Sequence, residues 1–197
     1  MAGRNTYHHG DLRNALLRAT RELVKERGAR GFSVSEAARR AGVSISAPYR
    51  HFADRDAMLA ATAQLAFTEL ETQFAALVLE EPLPECAARI AVAYVAFARQ
   101  DPARFEVMFA SGIDKASHPE LLEQTRRVQE RLEAALQPHV PREEVVGRAA
   151  ELWAIAHGVA SLALGGNLHH VVDSSRIDRV AASAAHAWAR GVSTSGV

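Results

Sequence analysis

The stretch from Ser33 to Phe52 constrains this chain more than any other, because it reads as two short helices hinged at a glycine. Ser33 and Glu36 have the Ser-x-x-Glu spacing of a capping box, in which each side chain takes up a backbone N–H that the first helical turn leaves unpaired. Val34, Ala37, Ala38 and Ala41 follow at the i, i+3, i+4 and i+7 positions of a narrow apolar stripe. Gly42 stands where a left-handed terminating residue is wanted. A first helix of about two turns is therefore expected to begin near Ser33. Ser44 can cap a second helix, in which Pro48 either falls in the first turn or marks a tight, irregular start, because proline cannot donate the bond a deeper position requires. Tyr49 and Phe52 then lie three apart on one face.

Two short helices joined by a glycine turn, the second exposing Ser, Tyr, Arg and His, match a DNA-binding helix-turn-helix. An ordinary helical hairpin in a core is the competing reading. It fits less well, since the second segment carries many hydrogen-bonding side chains within one turn.

The run Ala38-Arg39-Arg40-Ala41-Gly42-Val43-Ser44, the block Tyr49-Arg50-His51-Phe52, and Asp54-Arg55-Asp56-Ala57-Met58-Leu59 together resemble the head of the TetR family of transcriptional regulators over about residues 8–65. Many relatives carry a basic residue and a glycine where this chain has Ile45 and Ser46. For Ile45 an apolar contact to a thymine methyl is the use its chemistry permits. By position, Ser44, Ile45, Ser46, Ala47 and Arg50 are the candidates for base edges, with Arg50 able to pair bidentately with guanine. Ser33, Ser35, Tyr49, His51 and Arg55 are candidates for phosphates. Phe52 is expected to pack, and Tyr49 can do both, ring inward and hydroxyl toward DNA.

Charge supports a basic head on an acidic body. Overall the formal charge is zero, yet residues 1–52 hold ten Lys or Arg against four Asp or Glu, and the remainder holds 13 against 19. At 197 residues and 48% apolar content the chain can bury a substantial core. Cys86 is the single cysteine, so no intrachain disulfide can form; it reads as a small buried hydrophobe rather than a redox or metal group. With no run of 18 or more apolar residues and no basic-then-apolar leader, the chain is expected to be cytoplasmic and to have no membrane partner.

In order, residues 1–10 form a polar arm with Arg4 and Tyr7-His8-His9-Gly10, which can lie in a minor groove or be a plain terminus. His8 and His9 do not share a helix face, so no metal is expected there. Asp11 can cap a helix with Leu12, Ala15, Leu16, Ala19, Leu23 and Val24 on one stripe, ended by Gly28. Phe32, Val43 and Phe52 would fill the core of a three-helix head over residues 11–53. Asp54 caps a helix of about 25 residues, with Leu59, Ala63, Ala66, Leu70, Phe74 and Leu77 on its stripe, which is expected to link the head to a helical body over 54–190.

Pro82-Leu83-Pro84 stops that helix. Glu85 to Gln100 carries Ile90, Tyr94 and Phe97. Asp101-Pro102 opens a short helix with Phe105, Met108 and Phe109. His118-Pro119 opens another with Leu122, Thr125, Gln129, Leu132 and Leu136, and the Ser111–Ser117 loop between them is expected to be mobile. From Leu152 to Leu164 a helix is apolar nearly all round and is expected to be buried. On it Ala154, Gly158, Ser161 and Gly165 make a strip of small residues. Ser174 or Ser175 caps a last helix with Ile177, Val180, Ala181, Ala184 and Trp188, and 191–197 is a frayed tail. The fold class is therefore all-α.

Trp153-x-x-x-His157-Gly158, with Asp101-Pro102-Ala103-Arg104-Phe105-Glu106-Val107-Met108-Phe109 before it, resembles the body of a TetR subgroup named after tryptophan, histidine and glycine. The two resemblances imply a regulator, in most cases a repressor, that binds a pseudo-palindromic double-stranded operator as a homodimer. They imply an interface on the last two helices, where Ala154, Gly158, Ser161, Gly165, Ala181, Ala184 and Trp188 would lie. They imply also a small-molecule pocket lined by Tyr94, Phe97, Phe105, Met108, Trp153 and His157, whose low charge suits an apolar or aromatic effector. Trp153 and His157 can equally hold helix packing, and a constitutive DNA-binding regulator without an effector is the alternative. No cofactor is implied. An enzyme is not indicated: there is no nucleophile elbow, no HExxH, and no acid or cysteine at ligand spacing from His157, His169 or His170.

Overall fold

Among the described residues every regular element is helical, as the 3.6-residue periodicity predicts. A computed structural model describes residues 9–77, 80–110 and 113–194, with the backbone alone at 9–11 and 193–194. Among the described residues there are eight α-helices: α1 (His9–Arg27), α2 (Val34–Arg40), α3 (Arg55–Ala75), α4 (Leu83–Gln100), α5 (Pro102–Met108), α6 (Pro119–Leu136), α7 (Val145–Leu164) and α8 (Ile177–Thr194). No helix among them is long and apolar enough to cross a membrane. The expected arm contacts of Arg4, Tyr7 and His8 lie outside the described residues.

The chain divides into two compact units, residues 1–66 with 103–122, and residues 67–102 with 123–197. The boundary expected at residue 54 thus falls inside the first unit, which takes in the start of α3 and all of α5.

In the first unit, α1 starts at His9 rather than after Asp11, and it buries Leu16, Ala19, Leu23 and Val24 of its predicted stripe. Phe32 and Phe52 join them in the core, whereas Val43 is only half-buried. The guanidinium of Arg13 lies 5.5 Å above the Phe52 ring, adding a cation–π contact at the edge. Asp54 caps α3 as its position predicts, its Oδ1 accepting from the Ala57 N–H at 2.7 Å. The helix is shorter than expected, closing at Ala75, and Leu77 lies beyond it.

The second unit is organised around α4, which packs on both α7 and α8. One row of α8, Ile177, Ala181, Ala185 and Ala189, recurs every four residues and is fully buried. Alanine along an i+4 ridge keeps the surface low, so another helix axis can come close. Cys86 on α4 is buried and donates to the Glu81 carbonyl at 3.0 Å, and burial pushes its thiol pKa up. It therefore behaves as a small core hydrophobe with no thiolate character.

Two stripes differ from expectation. In α6 the buried positions are Leu121, Gln124, Leu132 and Leu136, while Leu122 is exposed, so the stripe is one residue out of phase at its start. Gln124 is drawn inward because its Nε2 donates to the Glu71 carboxylate at 2.7 Å, a partner 53 residues away that no periodicity reveals. In α7 the single chain does not by itself bury every face of the stretch from Leu152 to Leu164. Ala149, Leu152, Ala156, Ala160 and Ala163 face inward, but Val146, Trp153 and Leu162 are 61%, 43% and 47% exposed in the single chain. The unit holds only enough partner surface to cover one side.

Candidate nucleic-acid interface

Helix α2 ends in a complete Schellman motif. The Gly42 N–H donates to the Arg39 carbonyl at 3.1 Å, the Val43 N–H donates to the Ala38 carbonyl at 3.0 Å, and Gly42 adopts φ 71°. This fixes the direction in which the chain leaves α2. The capping box at the other end is not formed. Ser33 occupies the N-cap with extended backbone, φ −136° and ψ 133°, but makes no side-chain capping bond; its Oγ pairs instead with Ser35 Oγ at 2.8 Å. Glu36 is held by Arg39, and Arg27 Nη2 approaches it at 3.7 Å, so its carboxylate is not free to reach back to the N-cap.

The second helix predicted from Ser44 is not an α-helix. Its only helical residues are the 3-10 turn Pro48–Arg50. The physical reason is Pro48, which has no N–H to return to Ser44, so the chain closes through shorter bonds. The Ala47 N–H donates to the Ser44 carbonyl at 3.0 Å, the Arg50 N–H to Ala47 at 3.2 Å, and the His51 N–H to Pro48 at 2.9 Å. Ser44 makes no cap, and its Oγ lies 3.2 Å from Ser46 Oγ.

This tight tip leaves the predicted base readers outside. Ser44, Ser46 and Arg50 are exposed and Ala47 is half-buried, while Ile45 and Tyr49 are 64% and 56% exposed. Tyr49 therefore does not pack as Phe52 does. Arg50 makes no ion pair among the described residues, in contrast to Arg40, whose two guanidinium nitrogens bind the Glu26 carboxylate at 2.6 and 2.7 Å. That fork also holds the Glu26 carboxyl below its usual pKa. Of the predicted phosphate contacts, Ser35 is exposed, while Ser33 and His51 are half-buried.

Arg55 is placed differently from expectation. Its Nε donates to the Phe32 carbonyl at 3.2 Å, Nη2 to the Ala29 carbonyl at 2.6 Å, and Nη1 to Asp56 at 3.1 Å, with the guanidinium 5.7 Å from the Phe32 ring centroid. Its donors thus fasten the turn between α1 and α2. Glu106 of α5, a residue no sequence pattern singles out, completes this fastening by accepting from the Ala29 N–H at 2.7 Å. Seventy-seven positions separate the pair, which is why local reading misses it.

The six residues expected to line one pocket are distributed over the two units. Phe105 and Met108 are buried in the first, where the Phe105 ring packs tilted by 53° against Phe109 with centroids 5.0 Å apart. The other four belong to the second. There Tyr94, Trp153 and His157 form a hydrogen-bonded group, with Tyr94 Oη 2.9 Å from His157 Nδ1 and Trp153 Nε1 donating to Tyr94 Oη at 3.3 Å. Burial raises the Tyr94 pKa and lowers that of His157, so both are neutral near pH 7. Phe97 is fully buried in α4. A cleft of about 420 Å³ in the first unit is lined instead by Arg27, Gly28, Ala29, Arg30, Glu106, Phe109 and Ala110.

Of the predicted interface residues, Ala154, Ser161, Gly165 and Ala184 are exposed, and Gly158 and Trp188 are half-buried. A Cβ added at Gly158 would meet nothing within 4 Å. Ala181 is the exception, fully buried within the unit. Trp188 Nε1 donates to Glu151 at 2.7 Å, tying α8 to α7.

Residues 16–62 match the family profile described as bacterial regulatory proteins, tetR family, and residues 87–188 match one described as tetracyclin repressor-like, C-terminal domain. No curated protein sequence matches. Among solved structures, a protein of unknown function from Rhodococcus sp. RHA1 is 28% identical with a TM-score of 0.78, over 96% of this chain and 100% of that one. A transcriptional regulator from the same source is 25% identical with a TM-score of 0.71, over 92% and 97%. FadR from Bacillus subtilis, solved in complex with stearoyl-CoA, shares the fold at 12% identity and a TM-score of 0.70, over 89% and 96%. Matched over its head and over more than half of its length beyond it, the chain belongs to the TetR family of DNA-binding transcriptional regulators.

Proposed function

We propose that this protein is a homodimeric repressor that occupies a pseudo-palindromic operator and leaves it when a small apolar or aromatic molecule binds. The observation that carries the reading is the exposed tip, where Ile45, Tyr49 and Arg50 stand uncovered on a turn fixed at both ends. One such tip reaches too few base edges for a specific site, and two of them a helical turn apart supply the rest. Dimerisation through α7 and α8 accounts for the uncovered Val146 and Leu162 and for the small residues Ala154, Gly158 and Ser161. Such a protein works in the cytoplasm, where its operator is.

For the effector, support comes from the Tyr94–Trp153–His157 group, which offers a half-exposed indole beside neutral hydrogen-bonding partners, and from FadR, a structure of this fold that holds an acyl ligand. Release would be a population shift, with the ligand favouring a conformation in which the two tips no longer fit successive grooves. The alternative, a constitutive regulator without effector, is favoured by the complete burial of Phe97 and Tyr94, which suits plain packing. Selection from random duplex DNA at two salt concentrations tests the main reading. An enriched inverted repeat is expected, with affinity falling as salt rises; sequence-indifferent binding would overturn it. A small-molecule screen read by thermal shift and operator release then separates the sensor from the constitutive form.

A further inference from the structure

Ile45 is a large aliphatic side chain kept in water on the turn between Gly42 and Pro48, 64% exposed. The turn does not need it there. Its backbone is held by the Ala47 N–H donating to Ser44, by the Val43 N–H donating to Ala38, and by the buried ring of Pro48. The flanking hydroxyls of Ser44 and Ser46 lie 3.2 Å apart, so they turn toward each other around the residue between them. Nearby cations are mostly engaged, Arg39 with Glu36 and Arg40 with Glu26, while Arg50 stands exposed without an ion pair among the described residues. The surface thus offers one free guanidinium and one free aliphatic group within a basic segment, on a backbone that is already rigid.

The floor of a major groove presents donors, acceptors and a single apolar projection, the 5-methyl group of thymine. Isoleucine has no hydrogen-bonding atom beyond its backbone, so it distinguishes base pairs only through that projection. We infer that Ile45 reads a pyrimidine 5-methyl group in each half-site, so that the methyl itself, rather than the hydrogen-bonding edge of thymine, sets specificity at that base pair. This rests on the proposed operator binding. It carries a consequence that hydrogen-bond readers lack: 5-methylcytosine satisfies Ile45 as thymine does, and the protein responds to methylation of a cytosine placed there.

The test uses the full-length protein and the operator obtained by selection. Each half-site thymine is replaced in turn by deoxyuridine. At the responsive position the T·A pair is also replaced by C·G, with cytosine unmethylated or methylated at C5. Wild type is expected to lose about fourfold in affinity per half-site on thymine-to-uracil exchange, from the loss of one buried methyl, and to regain a similar factor from 5-methylcytosine over cytosine. Ile45→Ala is expected to abolish both ratios while unfolding at the wild-type temperature, and Arg50→Ala to preserve both ratios at lower overall affinity. Indifference of wild type to every uracil exchange, or persistence of both ratios in Ile45→Ala, overturns the inference while leaving operator binding intact. Failure to enrich any operator removes the DNA reading and the inference together.

Discussion

Glu106 accepts a hydrogen bond from the Ala29 N–H at 2.7 Å, while Arg55 donates to the carbonyl of the same residue at 2.6 Å. Both polar groups of Ala29 are thereby held by side chains from elsewhere in the first unit, and they fasten the short 3-10 turn Ala29–Gly31 that connects α1 to α2. Removing Glu106 leaves a part-buried N–H without its acceptor. Glu106→Ala is expected to destabilise the protein by about 1–2 kcal/mol, measured by urea unfolding. Glu106→Gln should lose less than Glu106→Ala, since its amide oxygen still accepts from the Ala29 N–H.

Gly28 and Gly42 both sit at positive φ, 72° and 71°, yet they differ in surroundings. A Cβ at Gly28 would lie 3.1 Å from Glu106 Oε1, whereas one at Gly42 would meet nothing within 4 Å. Gly42→Ala should therefore cost only the left-handed backbone penalty, about 1–2 kcal/mol, and Gly28→Ala more than that. Combining each with Glu106→Ala in a double-mutant cycle is expected to show coupling for Gly28 and additivity for Gly42.

Tyr94→Phe keeps the ring and deletes the hydroxyl shared by Trp153 and His157. A loss of about 1 kcal/mol is expected in denaturant unfolding, because the hydroxyl's bonds to Trp153 and His157 are removed.

His157 also makes stability depend on pH. Its folded pKa lies below the ordinary histidine value because burial opposes the charged form. The unfolded chain then binds the proton more readily, so stability is full above about pH 6.5 and is lost as pH falls from there through the folded pKa. The slope of unfolding free energy between pH 7 and pH 5 should flatten in His157→Asn; an unchanged slope would assign the effect to other groups.

Leu162 is exposed in the single chain, so replacing it leaves the unit's own core intact. Leu162→Glu is expected to convert a dimer to a folded monomer in sedimentation analysis, with stability of the isolated chain changed by no more than about 0.5 kcal/mol. A monomeric wild type would contradict the proposed assembly.

What the sequence determined by itself was whatever short-range chemistry decides. The all-helical class follows from apolar periodicity, the end of α2 from Gly42, the start of α3 from Asp54, and the family from the head motif, since each is written within a few residues. Tertiary structure decided the rest. It spent Arg55 on two backbone carbonyls and brought Glu106 to Ala29, whereas the 3-10 turn at Pro48 is again local chemistry, the missing donor of proline. It also left one face of an apolar α7 open, because burial depends on how much partner surface the rest of the chain supplies and not on the hydrophobicity of the segment alone.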